Sequence, residues 1–164
     1  MKKLFGNTTG LKANQIRRLE NFYRRRIQPH FLISPELARD LSNLSHEIRR
    51  QIGLLINRQG KVAYVIVGDH KKIVIPSISE YRAAPGRLKG LRCIHSHLSN
   101  EPLTDDDLTD LSLLRLDMMA AVANGEAGIT KQVYAAHILP KNPDGDPYRI
   151  LPPLPPSQLD IDCL

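Results

Sequence analysis

Two imidazoles and a set of carboxylates stand close together in one short stretch: His95-Ser96-His97-Leu98-Ser99-Asn100-Glu101-Pro102-Leu103-Thr104-Asp105-Asp106-Asp107. The apolar run 91–94 before it reads as a strand, and the pattern after it reads as an amphipathic helix. Residues i and i+2 of a strand share a face, so His95 and His97 should project together. Thr104 is an N-cap by residue type, and Asp107, three residues on, can fold its carboxylate back toward the cap. Two imidazoles and one carboxylate converging at a strand-to-helix junction form a ligand set for zinc, with His95, His97 and Asp107 as the metal triad.

The elements around this stretch must hold it in place. Apolar residues Leu11, Ile16, Leu19, Phe22, Tyr23 and Ile27 recur at helical spacing through residues 11–30, and Pro29 ends the run. Ser34-Pro35-Glu36 is a helix start, with a cap, a proline at the first position and an acid in the first turn. Leu37, Leu41, Leu44 and Ile48 carry that stripe to about Gln51, so residues 11–51 read as an antiparallel helical pair. Strands are expected at 53–57 and 62–67 around the turn Arg58-Gln59-Gly60-Lys61, then at 72–75, 91–95, 118–122 and 133–139. Residues 77–90 read as a loop or broken helix, and a helix is expected from Asp105 to about Leu116. Apolar runs without alternation point to central strands buried on both faces. The fold class is α/β, a mixed central sheet flanked by helices and preceded by the N-terminal helical pair.

Length and composition suit one soluble domain: 164 residues, 41% hydrophobic and 24% charged. Residues 1–10 read as a flexible start, 11–139 as a single α/β domain, and 140–164 as a proline-rich linker holding seven of the twelve prolines by residue 156. A linker there leads to the expectation that the chain continues into another domain. No apolar run approaches the roughly 20 residues of a membrane helix. Cys93 and Cys163 are far apart and unpatterned, and the first residues are not those of a signal peptide, which together suggest a reducing cytoplasm. The sequon Asn7-Thr8-Thr9 is read as chance.

Charge is uneven. Residues 1–50 hold eleven of the 23 Lys and Arg but only four of the 17 acids. Arg17, Arg18, Arg24, Arg25 and Arg26 dominate this segment and could follow nucleic-acid phosphates without reading sequence; the alternative is a solvated helix face. Phosphate-binding loops of the G-x-x-x-x-G-K-[ST] and G-x-G-x-x-G types are absent, as are C-x-x-C and G-x-S-x-G. Chemistry in this segment therefore rests on the His/Asp cluster. His46, His70 and His137 are scattered, Met118-Met119 reads as core, and Asp105 and Asp106 suit a helix N-terminus.

His95-x-His97 followed by Thr104-x-x-Asp107 resembles the JAMM (MPN) metalloprotease signature H-x-H-x(7)-S-x-x-D, and Ser99-Asn100-Glu101-Pro102 is similar to part of the RadC-like run of the same fold. The resemblance implies a JAMM/MPN, cytidine-deaminase-like fold, zinc on His95, His97 and Asp107, and Thr104 supporting the transition state. It also implies a glutamate base just before the first strand. The chain departs from the pattern in several places. Six residues, not seven, separate His97 from the hydroxyl residue, which is Thr104 rather than Ser; Leu98 replaces a proline. The position of the base holds Arg50, and the nearest acid is Glu47, one helical turn earlier.

Longer runs extend the likeness. Gly10-Leu11-Lys12-Ala13-Asn14-Gln15-Ile16-Arg17-Arg18-Leu19-Glu20, Ile33-Ser34-Pro35-Glu36-Leu37-Ala38, Tyr64-Val65-Ile66-Val67-Gly68-Asp69 and Gly90-Leu91-Arg92-Cys93-Ile94-His95 resemble the extended N-terminal region of bacterial HflX-type GTPases. That resemblance implies an accessory domain joined to its own GTPase domain, where GTP and magnesium would bind. It further implies the large ribosomal subunit and its rRNA as partners. The alternatives are a zinc-dependent hydrolase of the peptidase or isopeptidase kind, with Glu47 and Thr104 as catalytic residues, and an interaction scaffold with an inactive site.

Overall fold

Aliphatic runs that lack polar alternation become the middle of a sheet. In the computed structural model, which describes residues 3–76, 88–141 and 143–159, seven strands form one mixed sheet. They are β1 (Leu4–Gly6), β2 (Ile52–Asn57), β3 (Val62–Val67), β4 (Leu91–His97), β5 (Met118–Asn124), β6 (Thr130–Ile138) and β7 (Tyr148–Ile150), in the spatial order β1-β3-β2-β4-β5-β6-β7. β4 and β5 run parallel, as do β1 and β3; the other pairs are antiparallel. β4 sits in the centre and is buried along nearly its whole length.

Successive residues of the central strands face opposite layers. Leu54, Ile56, Ile94, Ala120 and Val122 pack with Leu37, Leu41 and Leu44 of α2 (Pro35–Ile48) and with Leu19 of α1 (Ala13–Asn21). Leu55, Cys93 and Met119, one residue out of phase, pack with Leu111 of α3 (Asp105–Leu114) and with Leu116. The sheet is therefore covered on both faces, which explains why its strands read as continuous apolar runs. α2 begins as expected: Ser34 Oγ accepts from the Leu37 amide at 3.2 Å, and Pro35 opens the helix.

Four expectations need correction. Residues 4–6 are a strand, not part of a flexible start; the Tyr23 hydroxyl bonds the Lys3 carbonyl and accepts from the Val65 amide, fastening β1 beside β3. The first helix is shorter than residues 11–30, because Phe22–Arg24 tightens to a 3-10 turn and Arg26 then bridges Lys61. Residues 72–75 are not a strand. Asp69 Oδ1 accepts from the amides of Lys71 and Lys72, turning the chain so that Ile73 lies across β2. Gly53 makes that crossing possible: a Cβ there would come within 2.7 Å of Ile73 Cδ1. Finally, the expected linker packs on the domain as far as Leu159. β7 pairs with β6, Val133 and Leu154 exchange backbone hydrogen bonds at 2.9 Å, and the Leu32 amide donates to the Leu159 carbonyl at 2.9 Å. Residues 77–87, the larger part of the expected loop 77–90, lie outside the described residues.

Leu154 and Leu159 are 5% and 1% exposed and belong to the larger core. Leu159→Ala should cost about 2–3 kcal/mol, the low end for a buried leucine, read as a lower urea midpoint. An unchanged midpoint would make the segment a linker after all.

Candidate metal centre

β4 ends in His95-Ser96-His97, and the strand geometry sends both imidazoles to the α3 side of the sheet. Register explains how two rings fit there. His95 lies between Gly53 and Ala121 on neighbouring strands, and His97 lies beside Ala123. These small neighbours leave room for the rings, which are 0% and 2% exposed.

The third member comes from the first turn of α3. Thr104 Oγ1 accepts from the Asp107 amide at 3.1 Å, and Asp107 Oδ2 accepts from the Thr104 amide at 2.9 Å. This reciprocal cap fixes the carboxylate against the imidazoles. His95 Nε2 stands 3.1 Å from Asp107 Oδ1, His97 Nε2 stands 3.3 Å from Asp107 Oδ2, and the two Nε2 atoms are 3.0 Å apart. The three side chains form the only group of potential ligands found among the described residues, with donor atoms all within 4.8 Å of one another.

The Glu101 carbonyl sets the chemistry of His97. A carbonyl oxygen only accepts, so His97 Nδ1, 2.9 Å away, carries the ring proton of the neutral imidazole. That leaves a lone pair on Nε2, aimed at His95 and Asp107. Burial alone would depress the His97 pKa, but the Asp107 carboxylate and the Glu101 carbonyl raise it overall. Burial opposes ionisation of Asp107, yet its bonds to His95 and His97 hold it far below the usual carboxylate range.

Donor spacing tests whether the site fits zinc. Bonds of about 2.0–2.1 Å in a tetrahedron place ligand atoms about 3.3 Å apart. The observed separations are close to that edge: 3.0 Å between the two Nε2 atoms, 3.1 Å from His95 to Asp107 Oδ1 and 3.3 Å from His97 to the other oxygen, Oδ2. Two imidazole nitrogens and one carboxylate oxygen also form the facial set used by Fe(II), so donor chemistry admits either ion.

The remaining expected site residues fall into two groups. Thr104 lies at the rim of the cluster as the helix cap, exposed, with its hydroxyl accepting from Asp107. Glu47 is not brought to the cluster. It lies on α2, over the opposite face of the sheet, where Arg18 Nη1 binds it at 2.8 and 2.9 Å and Gln15 Nε2 at 3.0 Å. The Arg18 and Gln15 hydrogen bonds lower its pKa, so it is a poor proton acceptor as well as a distant one. Arg25 pairs with Asp40 at 2.7 Å, whereas Arg17, Arg24 and Arg26 are exposed.

The motif reading missed several positions. Ser96, between the histidines, points to the α2 side. Its Oγ accepts from the Ile52 amide at 2.9 Å and donates to Ser45 Oγ at 2.7 Å, which donates to the Arg50 carbonyl at 2.7 Å. One small hydroxyl chain thus joins β4, β2 and the end of α2 directly behind the metal-facing residues. Continuing the β2–β4 register puts Gln51 opposite His97, and its side chain donates to the Lys71 carbonyl at 2.8 Å. Asp110, one helical turn beyond Asp107, is pushed above the usual carboxylate range by burial and then by the charges of Asp107 and Asp106. Buried Cys93 lies on the same face of β4, its thiol pKa raised first by burial, and it is not among the clustered ligands.

No model of a known protein family matches this chain, and no curated protein sequence matches it.

Ser96→Ala removes the hydroxyl with little change in volume and takes a buried partner from the Ile52 amide and from the Ser45 hydroxyl. The expected cost is about 1–3 kcal/mol, measured by urea unfolding, with a weaker metal site in the folded fraction. Stability equal to that of the parent chain would show that the hydroxyl chain holds nothing in place.

Proposed function

We propose that this chain is a metal-binding domain in which His95, His97 and Asp107 hold one divalent ion, zinc being the first to test, and leave a fourth position open. The observation that carries this reading is the approach of two imidazole nitrogens and the two oxygens of one carboxylate to 3.0–3.3 Å at the end of a buried strand. A zinc ion held by these residues would supply Lewis-acid chemistry at the open position. The chain's own residues do the rest. The Glu101 carbonyl keeps the His97 proton on Nδ1, the Thr104 cap orients Asp107, and Asp107 offsets the charge of the ion. Metal uptake displaces the proton shared within the cluster, so affinity should fall on acidification.

Hydrolysis by the JAMM route draws no support from Glu47, which Arg18 and Gln15 hold on the other face of the sheet. Metal binding is therefore proposed ahead of peptidase activity. Metal analysis of the purified, untagged chain tests this: about one zinc per chain, lost in His95→Ala and in His97→Ala, with a higher Tm on adding zinc to the stripped protein. No bound metal and no change in Tm would refute it.

A second reading, an accessory domain that faces RNA as the HflX likeness implies, is supported by Arg17, Arg24 and Arg26. All three are exposed and form no ion pair among the described residues. Binding of a fluorescent single-stranded RNA should weaken steeply with salt. Arg24→Gln with Arg26→Gln should flatten the log–log salt slope by about 1.4, at 0.7 per phosphate contact. A slope unchanged in the double variant would place any RNA contact elsewhere.

A further inference from the structure

The orientation of His97 depends on a backbone carbonyl in an exposed loop. Ser99, Asn100, Glu101 and Pro102 are all exposed, and Glu101 supplies the oxygen that holds the Nδ1 proton. One end of this loop is β4, and the other is the Thr104 cap. Besides His97 itself, a second side chain of the sheet bonds this loop: the Tyr134 hydroxyl donates to Asn100 Oδ1 at 3.0 Å.

Tyr134 is placed for this by the register. It lies on β6 opposite Ala121, which lies opposite His95, so the three share one face and one row of the sheet. The next row toward the loop is His97, Ala123 and Gln132. Ala121 and Ala123 of β5 lie between, and Asn100 of loop 98–103 meets the phenol on β6. Gln132 Oε1 also lies 2.7 Å from the Tyr134 oxygen, so one phenolic proton is divided between two acceptors. Gln132 thus fixes the phenol from beneath while Asn100 meets it from the loop.

We propose that Tyr134 is a positioning residue for the metal centre: by holding Asn100 it fixes loop 98–103, and so the Glu101 carbonyl that keeps the His97 proton on Nδ1 and Nε2 free to ligate. The ligating half of this statement rests on the metal reading above; the orienting half does not. Partners that fix a ligand's tautomer typically change metal affinity 10–100-fold when removed.

Tyr134→Phe removes the hydroxyl and keeps the ring. Nitrogen-15 NMR of the histidine rings in the metal-free protein, at a pH where His97 is neutral, reads the tautomer directly. Competition with a chromophoric chelator reads zinc affinity. The parent chain should show His97 protonated on Nδ1. Tyr134→Phe and Asn100→Ala should show a mixture of tautomers and zinc binding about 10-fold weaker. Asn100→Asp, which keeps an acceptor for the phenol, should restore the Nδ1–H form. Circular dichroism and the Tm of each variant separate this effect from loss of fold. A folded Tyr134→Phe with unchanged ring signals and unchanged zinc affinity would overturn the proposal. Ring signals that shift in a chain taking up no zinc would support the positioning role and refute the metal reading.

Discussion

Three electron-rich atoms about 3 Å apart repel one another unless a positive charge lies among them. His95 Nε2, His97 Nε2 and Asp107 are held at this spacing where His95 and His97 are almost wholly buried. A proton among them would ease that repulsion, in keeping with the raised His97 and lowered Asp107 pKa values. A divalent ion would ease it better, because it can engage all three side chains at once whereas a proton bridges two. Much of the surrounding structure resists relaxation of that cluster. The cap of α3 fixes the carboxylate and the Glu101 carbonyl fixes the His97 ring.

The central strand is what allows such crowding. A charged cluster near a frayed edge would spread apart. β4 is paired on both sides and covered on both faces, and its non-metal side is locked by the Ser96–Ser45 hydroxyl pair. The two faces of one tripeptide thus divide the work, imidazoles toward α3 and hydroxyl toward α2. Buried polar groups of this kind stabilise only when fully paired. Ser96 meets that condition by both accepting and donating.

Local signals were legible in the sequence, and remote ones were not. The His-x-His period, the Thr104–Asp107 cap and the Ser34-Pro35 helix start all depend on neighbours within four residues. They appear in the structure as the sequence suggested. The α/β class and the buried strands followed from the apolar runs in the same way. Glu47 was misplaced because its distance along the chain says nothing about which face of the sheet α2 covers. The proline-rich tail read as a linker because Pro152, Pro153, Pro155 and Pro156 offer no amide to a sheet. Leu154 between them nonetheless inserts into the core and bonds Val133. Tyr134 and Asn100 carry no motif; only the β5–β6 register shows that they meet.

Position 50 would not accept a glutamate by one substitution. The position where the JAMM likeness places its glutamate is Arg50. Arg50 Nη1 donates to the Asn7 carbonyl at 2.9 Å and Nη2 to the Thr9 carbonyl at 2.6 Å, which fastens the segment after β1 to the end of α2. A glutamate there would lose two charge-assisted hydrogen bonds and place its charge beside two carbonyl oxygens. The Arg50 carbonyl is itself the last acceptor of the Ser96–Ser45 chain. The residue thus braces the backbone behind the metal-facing strand with one group and the N-terminal segment with another. In this chain the position is structural, and Arg50 helps to hold the backbone behind the His-His-Asp cluster.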